Sequence, residues 1–304
     1  MSEESRTIGL SRWFWQAFAT PGILWLLALF VVPFFAIFAI AMGTRDPIFF
    51  APVPVWNPLE WQTETFRGVV ANVFGGGPLQ TVLLRTTMYV AIASILSLLI
   101  GYPVAYYIAR HASRTKVLLL VLLIAPFWIS YLMRMLAWIS LLDDRGLVND
   151  ILADIGLIDA PINWLNGRPS TVILGLVYGY VPFLILPLFA AIDRIDQSQI
   201  EAARDLGASP GRTFLRVTLP LSRQGILAGT VIILLPMFGD YYTQDLLSAN
   251  PRTSMFANQI VRMISSRTGG AEGAGLVIML SLLLLIFMAY YLYSTAKASR
   301  EYER

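Results

Sequence analysis

Residues 201–220 read EAARDLGASPGRTFLRVTLP. Four charged side chains, Glu201, Arg204, Asp205 and Arg212, precede Arg216, yet strongly apolar runs stand on both sides. Local chemistry divides the stretch into two helices. Asp196 is a helix cap with Gln199 three residues later, the spacing of a capping box. The first helix runs through QSQIEAARDL, and Gly207 stops it as a left-handed residue past the last turn. Ser209 caps a second helix and Pro210 takes its first position, where a missing N–H costs nothing. That helix continues through Phe214, Leu215, Val217 and Leu219 to Pro220. Ile200, Ala203 and Leu206 give the first helix a narrow apolar face, and Ala202 and Ala203 leave room for close approach. A helix this short is marginal alone because nucleation is costly. Two caps, a glycine stop and an alanine pair point to a helix–turn–helix seated in a groove on a partner, where a solvated loop would need none of them.

The flanks say what kind of molecule carries this segment. The chain has 304 residues, of which 57% are hydrophobic and 13% charged. Soluble domains carry about 25% charged residues, so this composition is that of a membrane protein, as is a mean hydropathy of +0.65. A helix needs roughly 20 apolar residues to cross a bilayer. Six runs qualify: 21–42, 86–109, 117–142, 171–192, 225–245 and 274–296. The first follows Arg6 and Arg12, and AIA at 39–41 resembles a cleavage site, but its apolar run is too long for a signal peptide. The expected fold class is therefore an all-α integral membrane protein with six transmembrane helices and no internal repeat. Its expected organisation is an N-terminal segment 1–20, a membrane domain 21–296 with a loop at 193–224, and a tail 297–304.

Lysine and arginine set the direction. With the N-terminus inside, thirteen cations fall on the inner segments, including Arg110, Arg114, Lys116, Arg194, Arg204, Arg212, Arg216 and Arg223. Eight fall on the longer outer ones. Both termini and residues 193–224 are then cytoplasmic. The outer segments are net negative, which either welcomes a cationic ligand or reflects the exclusion of arginine from that side.

Outside the spans, APVPVWNPLEW (51–61) is broken by Pro52, Pro54 and Pro58, and Trp56 and Trp61 suit a membrane–water interface. FGGGPL (74–79) reads as a hinge. Leu147, Val148, Ile151, Leu152 and Ile155 recur at helical spacing, as do Met255, Phe256, Gln259, Ile260, Met263 and Ile264. Both read as amphipathic helices that pack on the membrane surface, cap a pore mouth or meet a soluble partner.

Several chemistries are excluded. There is no cysteine, and His111 is the only histidine, so thiolate and multi-histidine metal sites are impossible. Neither of the two lysines, Lys116 and Lys297, ends a phosphate-binding GxxxxGK[ST] loop, so ATP, if used, binds another chain. Asp143 and Asp144 are adjacent and diverge on a helix, which argues against paired catalytic carboxylates. A secondary transporter would show inverted repeats and acids at the midplane. A membrane enzyme would show clustered His, Asp or Ser.

Ionisable groups inside the membrane default to functional hypotheses. Arg134 lies mid-span and reads as a structural tie to helix carbonyls or to an acid on a neighbouring span, because a bare cation in the pathway would repel a cationic solute. Asp240 and Asp245 end the fifth span beside Tyr241 and Tyr242. Carboxylates with aromatic faces suit an extended polycation, or else both acids face outer water. Trp138, Tyr178 and Tyr180 line a cavity or serve as packing. Pro126, Pro182, Pro187 and Pro236 interrupt spans, as kinks that serve a gate or a static bundle.

Glu201-Ala202-Ala203, Gly207, Val217 and Leu219-Pro220 resemble, at matching spacing, the Glu-Ala-Ala loop of ABC-importer permeases, with Val217 in place of isoleucine. LIGYPVAYYIAR (99–110), APFWISYLMRMLAWISLL (125–142), GLVYGYVPFLILPLFAAIDRID (175–196) and GDYYTQDLL (239–247) are similar to the first permease subunit of spermidine/putrescine importers. The resemblance runs from about residue 80 to the C-terminus. It implies a type I importer permease in a bacterial inner membrane, with a second permease, an external substrate-binding protein and a cytoplasmic ATPase dimer holding ATP and Mg. It implies no cofactor, metal or catalytic residue on this chain, and no nucleic-acid partner; lipid is its surround. It also implies that Glu201, Ala202, Ala203, Asp205, Gly207, Leu219 and Pro220 dock the ATPase. Another small cationic or organic solute is the alternative within the same class, because the loop does not report substrate.

Overall fold

A computed structural model describes residues 12–112 and 114–302. Arg6 and the first part of the expected N-terminal segment lie outside the described residues. The chain divides into two compact units.

The first comprises the residues up to Val69 together with Met263–Ile278. Helix α1 (Arg12–Ala41) is predominantly apolar and begins nine residues before the expected span start of 21, because Trp13, Phe14 and Trp15 already continue its pattern. A two-strand hairpin follows, β1 (Thr44–Arg45) against β2 (Pro52–Val53), paired antiparallel. A single 3-10 turn at Pro58–Glu60 is capped by Asn57. The three prolines exclude a regular helix here, as expected, and helix α2 (Glu64–Phe74) starts only after them. Ala41, Ala274 and Ile278 form this unit's small core with Phe38 and Phe66, and Arg45 pairs with Glu272.

The second unit comprises Val70–Arg262 and the chain from Met279 on. Gly76, with φ +89°, makes a tight turn, and Pro78 opens helix α3 (Pro78–Arg110) eight residues earlier than the expected 86. Helix α4 (Lys116–Ile124) runs into a 3-10 turn, Ala125–Trp128, and the segment Tyr131–Asp154, which opens with helix α5 (Tyr131–Leu142), leaves at 87°. The expected straight span 117–142 is therefore two pieces. Pro126 cannot donate within the turn, Ile129 is extended, and Ser130 caps α5 by accepting from the Met133 amide at 3.3 Å. Helix α6 (Leu147–Asp154) matches the first expected amphipathic segment.

Helix α7 (Pro169–Asp193) is continuous through Pro182 and Pro187. Helix α8 (Gln197–Asp205) and helix α9 (Pro210–Thr213) follow, then a π-turn at Phe214–Thr218 and helix α10 (Leu219–Leu221). The π-turn has a cause: Pro220 has no N–H and its ring crowds the carbonyl four residues back, so the helix widens locally. The segment Pro210–Leu221 meets helix α11 (Arg223–Phe238) at 62°. The expected fifth span, 225–245, ends at Phe238. Pro236 occupies its last turn, Gly239 and Asp240 break the chain, and helix α12 (Tyr242–Leu247) starts anew. Helix α13 (Phe256–Ser265) is the second amphipathic segment, and helix α14 (Gly270–Tyr302) outlasts the expected 274–296 at both ends.

Among the described residues four helices are long and apolar enough to span a membrane, or up to six if each bent pair is one span. The core of the second unit is α3, α7 and α11, with Tyr89, Leu176, Leu184, Leu188, Ile233 and Met237 fully buried. Gly225 sets the α7–α11 approach, since a methyl there would collide with the Ala191 side chain.

Candidate functional site

Two polar constellations stand out, one on α8–α10 and one at the breaks between helices. The first is built by its caps. The Asp196 carboxylate accepts from the Ser198 amide at 2.9 Å, and the Ser198 backbone and side-chain bonds hold this carboxyl below the usual range. At the other end Gly207 has φ +82°. Its amide bonds the Arg204 carbonyl at 2.8 Å and the Ala208 amide bonds the Ala203 carbonyl at 3.1 Å, the paired bonds of a glycine C-cap. Ser209 then caps α9 through the Arg212 amide.

The faces differ in one respect from the sequence reading. Ile200 is 5% exposed and packs inward, whereas Leu206 is 90% exposed and belongs to the outward face. Glu201, Ala202 and Asp205 are exposed with it, Ala203 is half-buried, and Pro220 is exposed while Leu219 packs against the helical core. The inward side is anchored firmly. Phe214 sits edge-on to both Tyr102 and Tyr106 of α3, at 5.6 and 5.7 Å between centroids. The Tyr102 hydroxyl shares a 2.7 Å hydrogen bond with Ser222. Arg110 donates to the carbonyls of Ile192 and Ile195, both at 2.8 Å, and Lys116 pairs with Asp193 at 2.6 Å.

The second constellation centres on Asp240, which is 6% exposed at the α11–α12 break. One oxygen accepts from the Thr243 amide at 2.9 Å. The other accepts from Thr243 Oγ1 at 2.6 Å and from the hydroxyls of Tyr131 and Tyr180, each at 3.0 Å. Tyr131 and Thr243 also share a short hydroxyl contact. Of the two readings open for this acid, outer water does not hold on this chain: Asp240 is buried and its carboxylate is satisfied by protein donors. Asp245 differs: it is exposed and accepts from Asn258 at 2.8 Å. The rings of Tyr241 and Tyr242 lie 4.1 Å apart between centroids, tilted by 30°.

Arg134 lies in the first turn of α5, just past the break, and is 8% exposed. Its Nε and Nη1 are buried without a hydrogen-bond partner, so the expected tie to a carbonyl or an acid is not what holds it. Its guanidinium carbon instead lies 4.1 Å from the ring centre of Phe127, 5.4 Å from Tyr131 and 5.8 Å from Tyr178. Trp138 meets Tyr178 edge-on at 5.3 Å. Tyr178 and Trp138 therefore belong to the surround of Arg134, and Tyr131 joins that surround to Asp240. The sequence reading missed Phe127, Tyr131 and Thr243. Thr243 had a signal, since Asp-x-x-Thr is itself a capping spacing. Among the described residues no cluster of three or more His, Asp or Glu suits a metal.

The comparisons with known proteins fit this architecture. Residues 97–298 match the family model described as binding-protein-dependent transport system inner membrane component. The spermidine/putrescine transport system permease protein PotB of Haemophilus influenzae is 36% identical over 267 residues, covering 86% of this chain and 89% of that protein. Its Escherichia coli K12 counterpart is 38% identical over 210 residues, covering 68% and 76%. A chain of a bacterial alginate ABC transporter, solved with a pentasaccharide-bound periplasmic protein, has the same fold, with a TM-score of 0.67 over 92% of each chain at 16% identity. A chain of the MetNI methionine ABC transporter in inward-facing form gives 0.51 over 70% of this chain and 94% of its own, again at 16%. A type I permease fold, helices of membrane-spanning length and a family match over two thirds of its residues together make this chain an integral inner-membrane permease subunit, a member of the binding-protein-dependent transport system inner membrane component family.

Proposed function

We propose that this subunit carries polyamines, spermidine and putrescine, across the inner membrane as half of the pathway of an ATP-driven importer. The observation that carries the substrate class is the buried Asp240 carboxylate, set among the hydroxyls of Tyr131, Tyr180 and Thr243 with aromatic faces beside it, in a chain whose relatives bear polyamine-transport names. A carboxylate and π-faces are the groups that replace water around an alkylammonium. Tyr178, Trp138, Tyr241, Tyr242 and Asp245 stand around this route. A second permease subunit completes it, and an external binding protein delivers to it.

The chain hydrolyses nothing itself; ATP and Mg belong to a cytoplasmic ATPase dimer. Residues 1–20, 193–224 and 297–304 face the cytoplasm, and 21–296 is the membrane domain. Glu201, Ala202, Ala203, Asp205, Gly207, Leu219 and Pro220 form or shape the ATPase dock. The exposed Glu201, Ala202, Asp205 and Leu206 meet the partner, while Gly207 and Leu219 fix the geometry from behind. Closing of the ATPase dimer pushes α8. The push passes along the chain into α7 and α11, and sideways through Phe214 into α3, so that the cavity opens outward and accepts solute. Hydrolysis reverses the stroke. Nothing moves unless the ATP state favours one of the two conformations.

Reconstitution of the complete importer in vesicles tests this, with radiolabelled spermidine and putrescine as solutes. ATP-dependent uptake is expected in the wild type and its collapse in Glu201→Arg, with the membrane subunits still assembled. Uptake of neither polyamine by an assembled, ATP-hydrolysing complex would overturn the substrate. Failure of any ATPase to co-purify with the wild type would overturn the dock.

A further inference from the structure

We propose, resting on the polyamine reading above, that Phe127, Tyr131 and Tyr178 form an alkylammonium subsite beside Asp240, and that Arg134 fills this subsite as a tethered substitute for the substrate's charge. A guanidinium facing a cation pathway is at first sight an obstacle. Here the obstacle is parked. Arg134 is buried, two of its nitrogens have no hydrogen-bond partner, and three ring faces surround its charge. A structural arginine is ordinarily held by carboxylates or carbonyls in its fixed fork geometry. Ring faces attract a cation without directional bonds, so they hold an ammonium as readily as a guanidinium.

The position supports exchange. Phe127 lies in the 3-10 turn before the 129–130 break, Tyr131 and Arg134 are one helical turn apart just after it, and Tyr178 comes from α7. Movement at the break changes the distance from Phe127 to Arg134 without unfolding either helix. Tyr131 contributes its ring to the cage and its hydroxyl to Asp240. One ammonium of a di- or triamine on Asp240 therefore places the next near the cage, where it competes with Arg134 for the same π-faces. Monovalent inorganic cations lack the second charge and the alkyl stem, so displacement of Arg134 selects for polyamines.

The experiment uses the assembled importer and three variants. Arg134→Gln empties the cage of charge, Arg134→Lys keeps a tethered cation, and Phe127→Leu removes the nearest ring. Expected is a KM for putrescine lowered about threefold or more in Arg134→Gln, near wild type in Arg134→Lys, and raised in Phe127→Leu, with ATPase activity stimulated by the binding protein in all three. In parallel, thermal unfolding of the detergent-solubilised complex is followed with tetramethylammonium chloride. Stabilisation of Arg134→Gln beyond that of the wild type, against sodium chloride at equal ionic strength, is expected. This second arm needs no transport, so it separates the cage from the polyamine reading: it holds even if neither polyamine is carried. An unchanged KM in Arg134→Gln together with no ammonium-specific stabilisation would overturn the proposal, as would equal loss of uptake in Arg134→Gln and Arg134→Lys. Should Arg134→Gln not assemble, an unchanged putrescine KM in Phe127→Leu overturns it alone.

Discussion

Asp240 accepts four hydrogen bonds, and each bond to an ionised group is worth about 1.5–3 kcal/mol. Those bonds make a buried carboxylate tolerable without a fixed cation, and they leave its charge available to a mobile one. Asp240→Asn separates the two roles. The amide oxygen still accepts from Thr243, and the tyrosine hydroxyls can rotate to accept from the amide nitrogen. The complex is expected to assemble while polyamine uptake falls at least tenfold, measured as initial rates against the amount of complex in the vesicles. Undiminished uptake would return Asp240 to a capping role. Of this site the sequence revealed the acid, the flanking tyrosines and the buried arginine. It hid the partners, because Tyr131 and Tyr180 lie 109 and 60 residues away in the chain, and no local pattern brings them together.

Elements show the reverse. The starts of α8 and α9 were legible to the residue and the end of α8 to within one, since caps are local: Asp196, Gly207, Ser209 and Pro210 act within a few positions of themselves. The amphipathic α6 and α13 were legible by spacing for the same reason. The breaks at 129–130 and 239–241 were not, because a hydropathy window averages across two or three residues whose neighbours are all apolar; only Pro126 with Ser130, and Gly239 before Asp240, marked them. The sideways contact of Phe214 with Tyr102 and Tyr106 was likewise invisible, and on the proposed dock it offers force a route into α3. Aromatic pairs add about 0.5–1.5 kcal/mol beyond their burial, so the two contacts together tie the π-turn to α3. Phe214→Ala is expected to leave ATP hydrolysis and assembly in place while uptake per ATP falls several-fold, read by measuring phosphate release and solute accumulation in the same vesicles. A proportional loss of both would make Phe214 a folding residue only.

At the scale of the molecule, six apolar runs were enough to place the chain in the membrane, and the packing of α3, α7 and α11 explains how the runs become a body. From the end of α3, Arg110 binds the Ile192 and Ile195 carbonyls at the end of α7, and Lys116 at the start of α4 holds Asp193, so the end of α7 is tied to both neighbours. The bend between α4 and α5 has a further consequence. Trp128, Ile129 and Ser130 are all exposed on the isolated chain, and a helix break leaves backbone amides and carbonyls that hydrocarbon cannot solvate. A neighbouring subunit or a water-filled crevice has to cover them. Where the cover is the second permease proposed above, the break is an assembly checkpoint: without that subunit residues 128–130 stay uncovered. Pulse-chase labelling is expected to show rapid clearance of the solitary chain by membrane proteolysis and a several-fold longer lifetime when both permeases are synthesised together, which would make matched synthesis of the two subunits a requirement written into residues 128–130.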